Sequence, residues 1–586
     1  MQTGFPEDME SAIMGRVIGR ITEVKGIISK AELQELLPPY IVEKGKVLDA
    51  PRINNYVKTK VGLDTIICQI TGEYFDEHTL KGDFTGYYIN LNVKGYISGK
   101  AFIQGLRCLP IVGAEVEMID PEDLAMIYAC GQEECLCLGN DLYNSTQPIR
   151  LGINKIIPSH IGIFGNTGSG KSNTLARLLN EYSKYLIHTD NAKVLVFDLN
   201  NEYVESSICD KEYKKVYPVS TRNDNGDKIP ISIDYLDEDQ WCIMLGATEA
   251  TQRPVVKTAC RDKRNNDDYK KYIADILRNG QRSLFMSLRF NMRQYLGDTI
   301  DNFCWHNSGQ VFYYDDNGTI IYANDRAFER YVNNIIVTVP TDNLDLFLFK
   351  LYFATARHIG YGTQYEYIEP LLRRAEKLIR DFKRVFRGTR DEDIFDRKPI
   401  SVIQLANVNR DMRELIPPIV SNYLFRKQMD NKGDGVINSI INVVIDEAHN
   451  ILFEDENNRR HQSVTIETFE KIIKEGRKYG FFLWLASQRP SDISPTVISQ
   501  LHNYFIHKLV NPLDLSRIRK AVAFLDDESM NMLTVLGPGE CVLSGTCVSL
   551  PVFIKVKQLT QQFRPNSDNV VLIGREGIFT QKNNME

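Results

Sequence analysis

The chain has 586 residues, 43% hydrophobic and 25% charged, with a net charge of -6 and a pI near 6.0. That length supports a large core and several domains, and the acidic balance excludes a globally basic nucleic-acid coat. There is no apolar run of about 18 residues to cross a membrane, no secretory-signal pattern at the start, and 11 scattered cysteines suit a reducing compartment, so the cytoplasm is expected.

Residues 1–150 read as β-rich, with short alternating segments such as "DTIICQITGEYF" and "YYINLNVKGYISG" broken by Gly, Asp and Pro, a pattern that predicts a small barrel. Within this stretch Cys130, Cys135 and Cys137 lack a fourth ligand and paired spacing for zinc, so they are expected to be buried structural cysteines. From about residue 155 strands alternate with helices, which implies an α/β domain with a parallel sheet. The predicted strands are 160–164, 193–198, 400–406, 441–446, 481–487 and 504–510, apolar nearly throughout as strands buried on both faces should be. The resulting division is a barrel over 1–150, an α/β ATPase domain over 151–230 and 395–560, a helical insertion over 231–394 and a C-terminal tail over 561–586. Inside the insertion, "QVFYYDDNGTIIYAN" predicts a hairpin turning at Asp-Asn-Gly.

The stretch "HIGIFGNTGSGKSNT" joins an apolar strand to a helix through Gly165, Asn166, Thr167, Gly168, Ser169, Gly170, Lys171 and Ser172, the G-x-x-x-x-G-K-[ST] pattern. Its glycines let backbone N–H groups converge on phosphate oxygens, Lys171 reaches the outer phosphates and the Ser172 hydroxyl completes a Mg²⁺ shell. Asn173 follows in the first helical turn and is taken with the loop, and the loop's helix N-terminus favours anions. The helix should bury Leu175, Leu178, Leu179 and Tyr182 on one face. ATP and Mg²⁺ are the implied ligands.

"INVVIDEAHN" is an apolar strand ending in Asp446 and Glu447. Asp446 is placed to hold Mg²⁺ and Glu447 to polarise the attacking water, a base that a water-using ATPase needs. Next, an amphipathic helix with Ile466, Phe469, Ile472 and Ile473 inward leads into "FFLWLAS", at whose tip Gln488 can sense the γ-phosphate. Arg477 is a candidate arginine finger for a neighbouring subunit, with Lys478 and Arg489 as competitors. A cation in a helix's last turn also has a purely local explanation in the helix dipole.

In that order "GNTGSGKSNT", "FDLNNEY", "VVIDEAHN" and "EGRKYGFFLWLASQRPSDIS" resemble the HerA branch of the HerA/FtsK hexameric DNA translocases, over about 150–560 and more weakly at the N-terminus, which is similar to that family's HAS barrel. The resemblance implies a RecA-like P-loop ATPase core, a homohexameric ring with double-stranded DNA in its pore, and hydrolysis between subunits with Arg477 acting in trans. It also implies a separately encoded nuclease or other effector enzyme, in antiviral defence or DNA end processing. Where the family has Asp-x-x-Gly-Glu-Tyr, this chain has Asp198, Leu, Asn, Asn201, Glu202 and Tyr203, so Glu202 is an additional acid without the customary glycine before it. An ATP-gated hexameric scaffold that activates or restrains an effector enzyme is the alternative, and a secretion- or conjugation-type ATPase a third reading. The basic stretches 373–387 and 261–272 are candidate DNA contacts, but each is more readily read as a solvated charged face, so DNA-contacting residues are left unassigned.

Overall fold

The structure, a computed structural model, describes residues 16–38, 40–43, 46–75, 86–99, 101–128, 134–143, 147–204, 206–223, 226–231, 235–388, 393–432, 435–453, 459–522, 525 and 527–566. Its centre is an 11-stranded sheet. Seven strands run parallel, in the order Asn503–His507, Ile161–Phe164, Phe481–Ser487, Ile440–Ile445, Ala192–Asp198, Ile400–Gln404 and Lys214–Pro218. All six predicted strands are among them, with ends displaced by at most three residues. The seventh, "KKVYP", opens on two lysines and closes on proline, marks of an edge strand that hide it from an apolar-run reading.

Alternation along these strands divides the core in two. Leu195, Phe197, Val443, Ile445, Leu483 and Leu485 face one layer, which continues into the helices Arg410–Asn431 and Arg459–Glu475. Val194, Val196, Val444, Trp484 and Ala486 face the other, where the helix Lys171–Leu186 buries Leu175, Leu178, Leu179 and Tyr182 as expected. Each such side chain contributes about 1.5–3 kcal/mol when fully buried, so a sheet covered on both faces is a rigid mount for loops at its strand ends. Of the apolar face predicted for the helix after Glu447, Phe469, Ile472 and Ile473 are buried and Ile466 half-buried.

The other four strands, Glu540–Gly545, Val552–Val556, Cys135–Asp141 and Pro148–Gly152, extend the sheet antiparallel from Asn503–His507. Residues 135–152 therefore pair into the ATPase sheet, and the expected boundary at 150 falls inside it. A period-2 pattern is the same in a barrel strand and in a sheet extension, so local sequence does not separate them. The barrel itself closes when Ile28–Leu33, already paired with Val17–Lys25, also pairs with Tyr87–Ser98; Asp64–Phe75, Tyr56–Val61 and Glu115–Met118 complete the ring.

One expectation is corrected here. Leu136 and Leu138 are the inward residues of their strand, while Cys135 and Cys137 share its half-buried face; Cys135 is disulfide-bonded, and Cys130 lies outside the described residues. No group of three or more His, Cys, Asp or Glu side chains among the described residues has the arrangement of a metal site. In the helix Tyr365–Val385, which carries most of the basic stretch 373–387, some cations are committed within the fold: Arg374 bonds Leu245 O and Gln252, Lys377 pairs with Asp411 at 2.7 Å and Arg384 bonds Thr221 O. Arg373, Arg380 and Arg387 of the same stretch are exposed.

The insertion is mainly helical, and part of it has its own core around Tyr269, Phe285, Phe303, Phe312 and Phe353. The predicted hairpin is present as Val311–Asp316 and Thr319–Tyr322, with Asn317 and Gly318 at positive φ in the turn, and Phe303–His306 adds a third strand. No helix among the described residues is long and apolar enough to cross a membrane.

Candidate functional site

The phosphate loop leaves the strand Ile161–Phe164 and enters the helix at Lys171. Gly168 and Gly170 have φ of 73° and 108°, conformations that only glycine adopts at little cost. At Gly170 space is also limiting, because a Cβ would lie 2.8 Å from the backbone of Gly539. The loop rests on distant chain: Gly539 N–H donates to Ser169 O at 2.8 Å, and Asn166 N–H to Lys508 O at 2.9 Å. His507 lies beneath it, fully buried, with its pKa pushed down to about 4 chiefly by burial, so the imidazole is neutral. Neither His507 nor the Gly537–Gly539 turn carries a motif that would single it out in the sequence.

Three carboxylates surround the buried Lys171. Asp446 ends its strand with Oδ1 accepting from the Glu447 N–H and Oδ2 from the Tyr203 hydroxyl, each at 2.9 Å. Burial, reinforced by the Glu202 and Glu447 charges, pushes the Asp446 carboxyl up to about 7. Burial likewise lowers the Lys171 pKa, while Glu447, Asp446 and Glu202 oppose that shift. Glu447 itself sits at φ 49°, ψ 47°, a left-handed turn that aims its side chain back over the loop. There Gln488 Nε2 donates to Glu447 Oε1 at 2.5 Å, and the Thr167 hydroxyl donates to Gln488 Oε1. His449 Nδ1 lies 3.3 Å from Glu447 Oε2, and burial lowers the His449 pKa.

The turn after the second strand delivers Glu202. Asp198 organises it by accepting from the Glu202 N–H at 3.0 Å and the Tyr203 N–H at 2.9 Å. Asn201, standing where the resemblance has glycine, adopts φ 61°. Asparagine is the side chain that most readily enters this left-handed region, so the turn keeps its shape without the glycine. The C-terminal segment closes the turn from outside, with Asn566 N–H donating to Glu202 O at 2.9 Å. Glu202 Oε2 is buried with no hydrogen-bond partner among the described residues, and the Ser172 hydroxyl lies beside the carboxylate.

These groups fit a divalent cation. Asp446, Glu447 and Glu202 against Lys171 leave an excess of two negative charges when ionised (three minus one), and Glu202 Oε2 lacks any other partner. The three acids do not by themselves form a metal cage, but Asp446 and Ser172 are the hard oxygen donors that Mg²⁺ prefers, with nucleotide phosphates and water to complete the shell.

The other expected residues divide. Gln488 is at the loop. Asn173 is not directed to it: its amide bonds the backbone of Lys557 and Leu559, each at 3.4 Å. Arg477 is exposed and precedes the seven-residue strand that Gln488 follows, so ~23 Å of strand separates it from its own phosphate loop. It has no hydrogen bond or ion pair among the described residues and stands near the stacked pair of buried His160 and half-buried His502. Lys478 shares that end, its carbonyl accepting from Lys432 Nζ at 2.7 Å, whereas Arg489 is on the Gln488 rim, 3.8 Å from Asp492.

The family description "Helicase HerA, central domain" matches residues 136–422. A probable helicase of Methanocaldococcus jannaschii is 23% identical over 554 residues, covering 89% of this chain and 90% of that protein. The DNA double-strand break repair helicase HerA of Sulfurisphaera tokodaii is 24% identical over 470 residues, covering 79% and 76%. Among solved structures, VirB4 of Thermoanaerobacter pseudethanolicus aligns over 72% of this chain and 96% of its own with a TM-score of 0.41 and 15% identity, too slight a likeness to carry an argument. With a complete phosphate loop, an acid pair at the end of Ile440–Ile445 two places along the sheet, and a central domain matched over residues 136–422, the chain carries the HerA helicase central domain of a P-loop ATPase.

Proposed function

We propose that this ATPase is a translocase that moves double-stranded DNA through a homohexameric ring, in the cytoplasm, alongside a separately encoded nuclease or other effector enzyme, in antiviral defence or DNA end processing. Relatives named as DNA double-strand break repair helicases support the DNA substrate. The observation that carries the reading is Gln488, which joins the phosphate loop at Thr167 to the acid Glu447 in one hydrogen-bonded chain. An ATPase that does mechanical work needs such a link, because loss of the γ-phosphate must be felt beyond the loop that held it.

In this reading Lys171 and the loop N–H groups bind the β- and γ-phosphates, and Ser172 and Asp446 hold Mg²⁺, with Glu202 an additional acid. The metal, when bound, neutralises phosphate charge. Glu447 orients the attacking water and accepts its proton, and Gln488 fixes the Glu447 carboxylate while reading Thr167. Neutral His449 flanks the same carboxylate without competing for the proton in its charged form. Arg477, remote from its own loop, serves the loop of the neighbouring subunit.

Trans action has a direct check. Arg477→Ala rings and Lys171→Ala rings should each hydrolyse ATP poorly, and co-assembled rings should regain activity, since some interfaces then pair an intact Lys171 with an intact Arg477. Failure of rescue in demonstrably mixed rings removes Arg477 from the site.

The function itself is tested by ATPase rate with and without linear double-stranded DNA, with mass photometry on the same samples. A hexamer stimulated several-fold or more by DNA is the expected result. A hexamer whose rate ignores DNA overturns the translocase and leaves the ATP-gated scaffold.

A further inference from the structure

The loop between the helices Gln252–Arg261 and Asn266–Arg278 borders a cleft of about 510 Å³ whose wall includes Arg261, Lys263, Arg264, Arg357 and Asp262. Its charges are unequally matched. Arg261 is paired at two points with Glu238 at 2.6 and 2.7 Å, and Arg264 with Asp262 at 3.0 Å. Asp268, also in the wall, is committed to capping, accepting from the Asn265 N–H at 3.1 Å. Lys263 and Arg357 remain, with no hydrogen bond or ion pair among the described residues. Lys263 is exposed, so solvent accounts for it. Arg357 is different: its Nε is buried and has no acceptor, and its guanidinium lies 5.7 Å from the Tyr272 ring centre. A place in the last turn of the helix Asn343–Gly360 explains a positive charge there but not an N–H buried without an acceptor.

A guanidinium beside an aromatic ring, sharing a cleft wall with an exposed ammonium, with both nearby acids already paired, is an arrangement for an anion with several oxygens. We infer that this cleft in the insertion binds a phosphate group, through Arg357 as the fixed donor and Lys263 as the flexible one. The source is either the backbone of a nucleic acid or a free phosphate. The site is separate from the ATPase centre and does not rest on the translocase reading.

The test uses full-length protein with its phosphate loop saturated by a slowly hydrolysed ATP analogue and Mg²⁺. Binding of a fluorescein-labelled 20-base-pair duplex is followed by anisotropy across a salt series, and inorganic phosphate is titrated by ³¹P NMR. For a backbone source, Lys263→Gln lowers duplex affinity at every sequence and reduces the log–log salt slope by about 1, and adding Arg357→Met reduces it by about 2. For a free-phosphate source, the variants lose inorganic phosphate while duplex binding is unchanged. Unchanged binding of both probes overturns the proposal. Lys263 is exposed and unpaired, so Lys263→Gln decides the matter even where Arg357→Met lowers stability. A wild-type protein that binds no duplex sinks the translocase instead, and the phosphate arm still decides the cleft.

Discussion

Lys171→Ala is expected to abolish measurable nucleotide binding. The side chain is buried in the loop and faces three carboxylates, so in the intact protein it is the positive charge that makes the pocket tolerable to a triphosphate. Hydrogen bonds to charged groups are worth roughly 1.5–3 kcal/mol each, and two lost to the outer phosphates correspond to an affinity loss of at least ~100-fold. Removal of the cation also leaves Asp446, Glu447 and Glu202 facing the phosphates unopposed, which acts in the same direction. Fluorescent-nucleotide titration checks the result, with Lys171→Met as the variant that keeps the buried stem. Normal affinity in both would mean that the loop does not hold phosphate.

Glu447→Gln should separate binding from chemistry. Glutamine keeps the shape and can still accept from Gln488 Nε2, so the loop and its nucleotide affinity stay as they are. It cannot take a proton, and removal of a positioned general base lowers hydrolysis by about 100-fold or more. Single-turnover hydrolysis beside equilibrium ATP binding reads both quantities. A rate within a few-fold of wild type would remove Glu447 as the base and direct attention to His449, 3.3 Å from its carboxylate.

What could be read ahead of the structure was whatever repeats locally. The glycine spacing of 165–170, the unbroken apolar runs that end in Asp198 and Asp446, and the three- and four-residue spacing of Leu175, Leu178, Leu179 and Tyr182 each report a backbone state or a buried face within a few residues. Even Asn201 follows this logic, because asparagine is among the few residues that replace glycine at φ 61°. The stretch 373–387 shows the limit: the composition does not say which of its cations bond within the fold, as Lys377, Arg374 and Arg384 do with Asp411, Leu245 and Thr221, and which stay exposed, as Arg380 does.

The sequence by itself determined the phosphate loop, the acid pair, the buried parallel strands and an insertion rich in helix, since each is set by short-range sterics or by periodicity. Tertiary structure alone decided that 135–152 joins the ATPase sheet, that His507 and Gly539 support the loop, that the segment reaching Asn566 closes over Glu202, and that Asn173 turns away toward Lys557. It also left Arg357 with a buried Nε and nothing to bond. These pairings join residues tens to hundreds of positions apart, and they follow from strand order and packing, which no local period encodes.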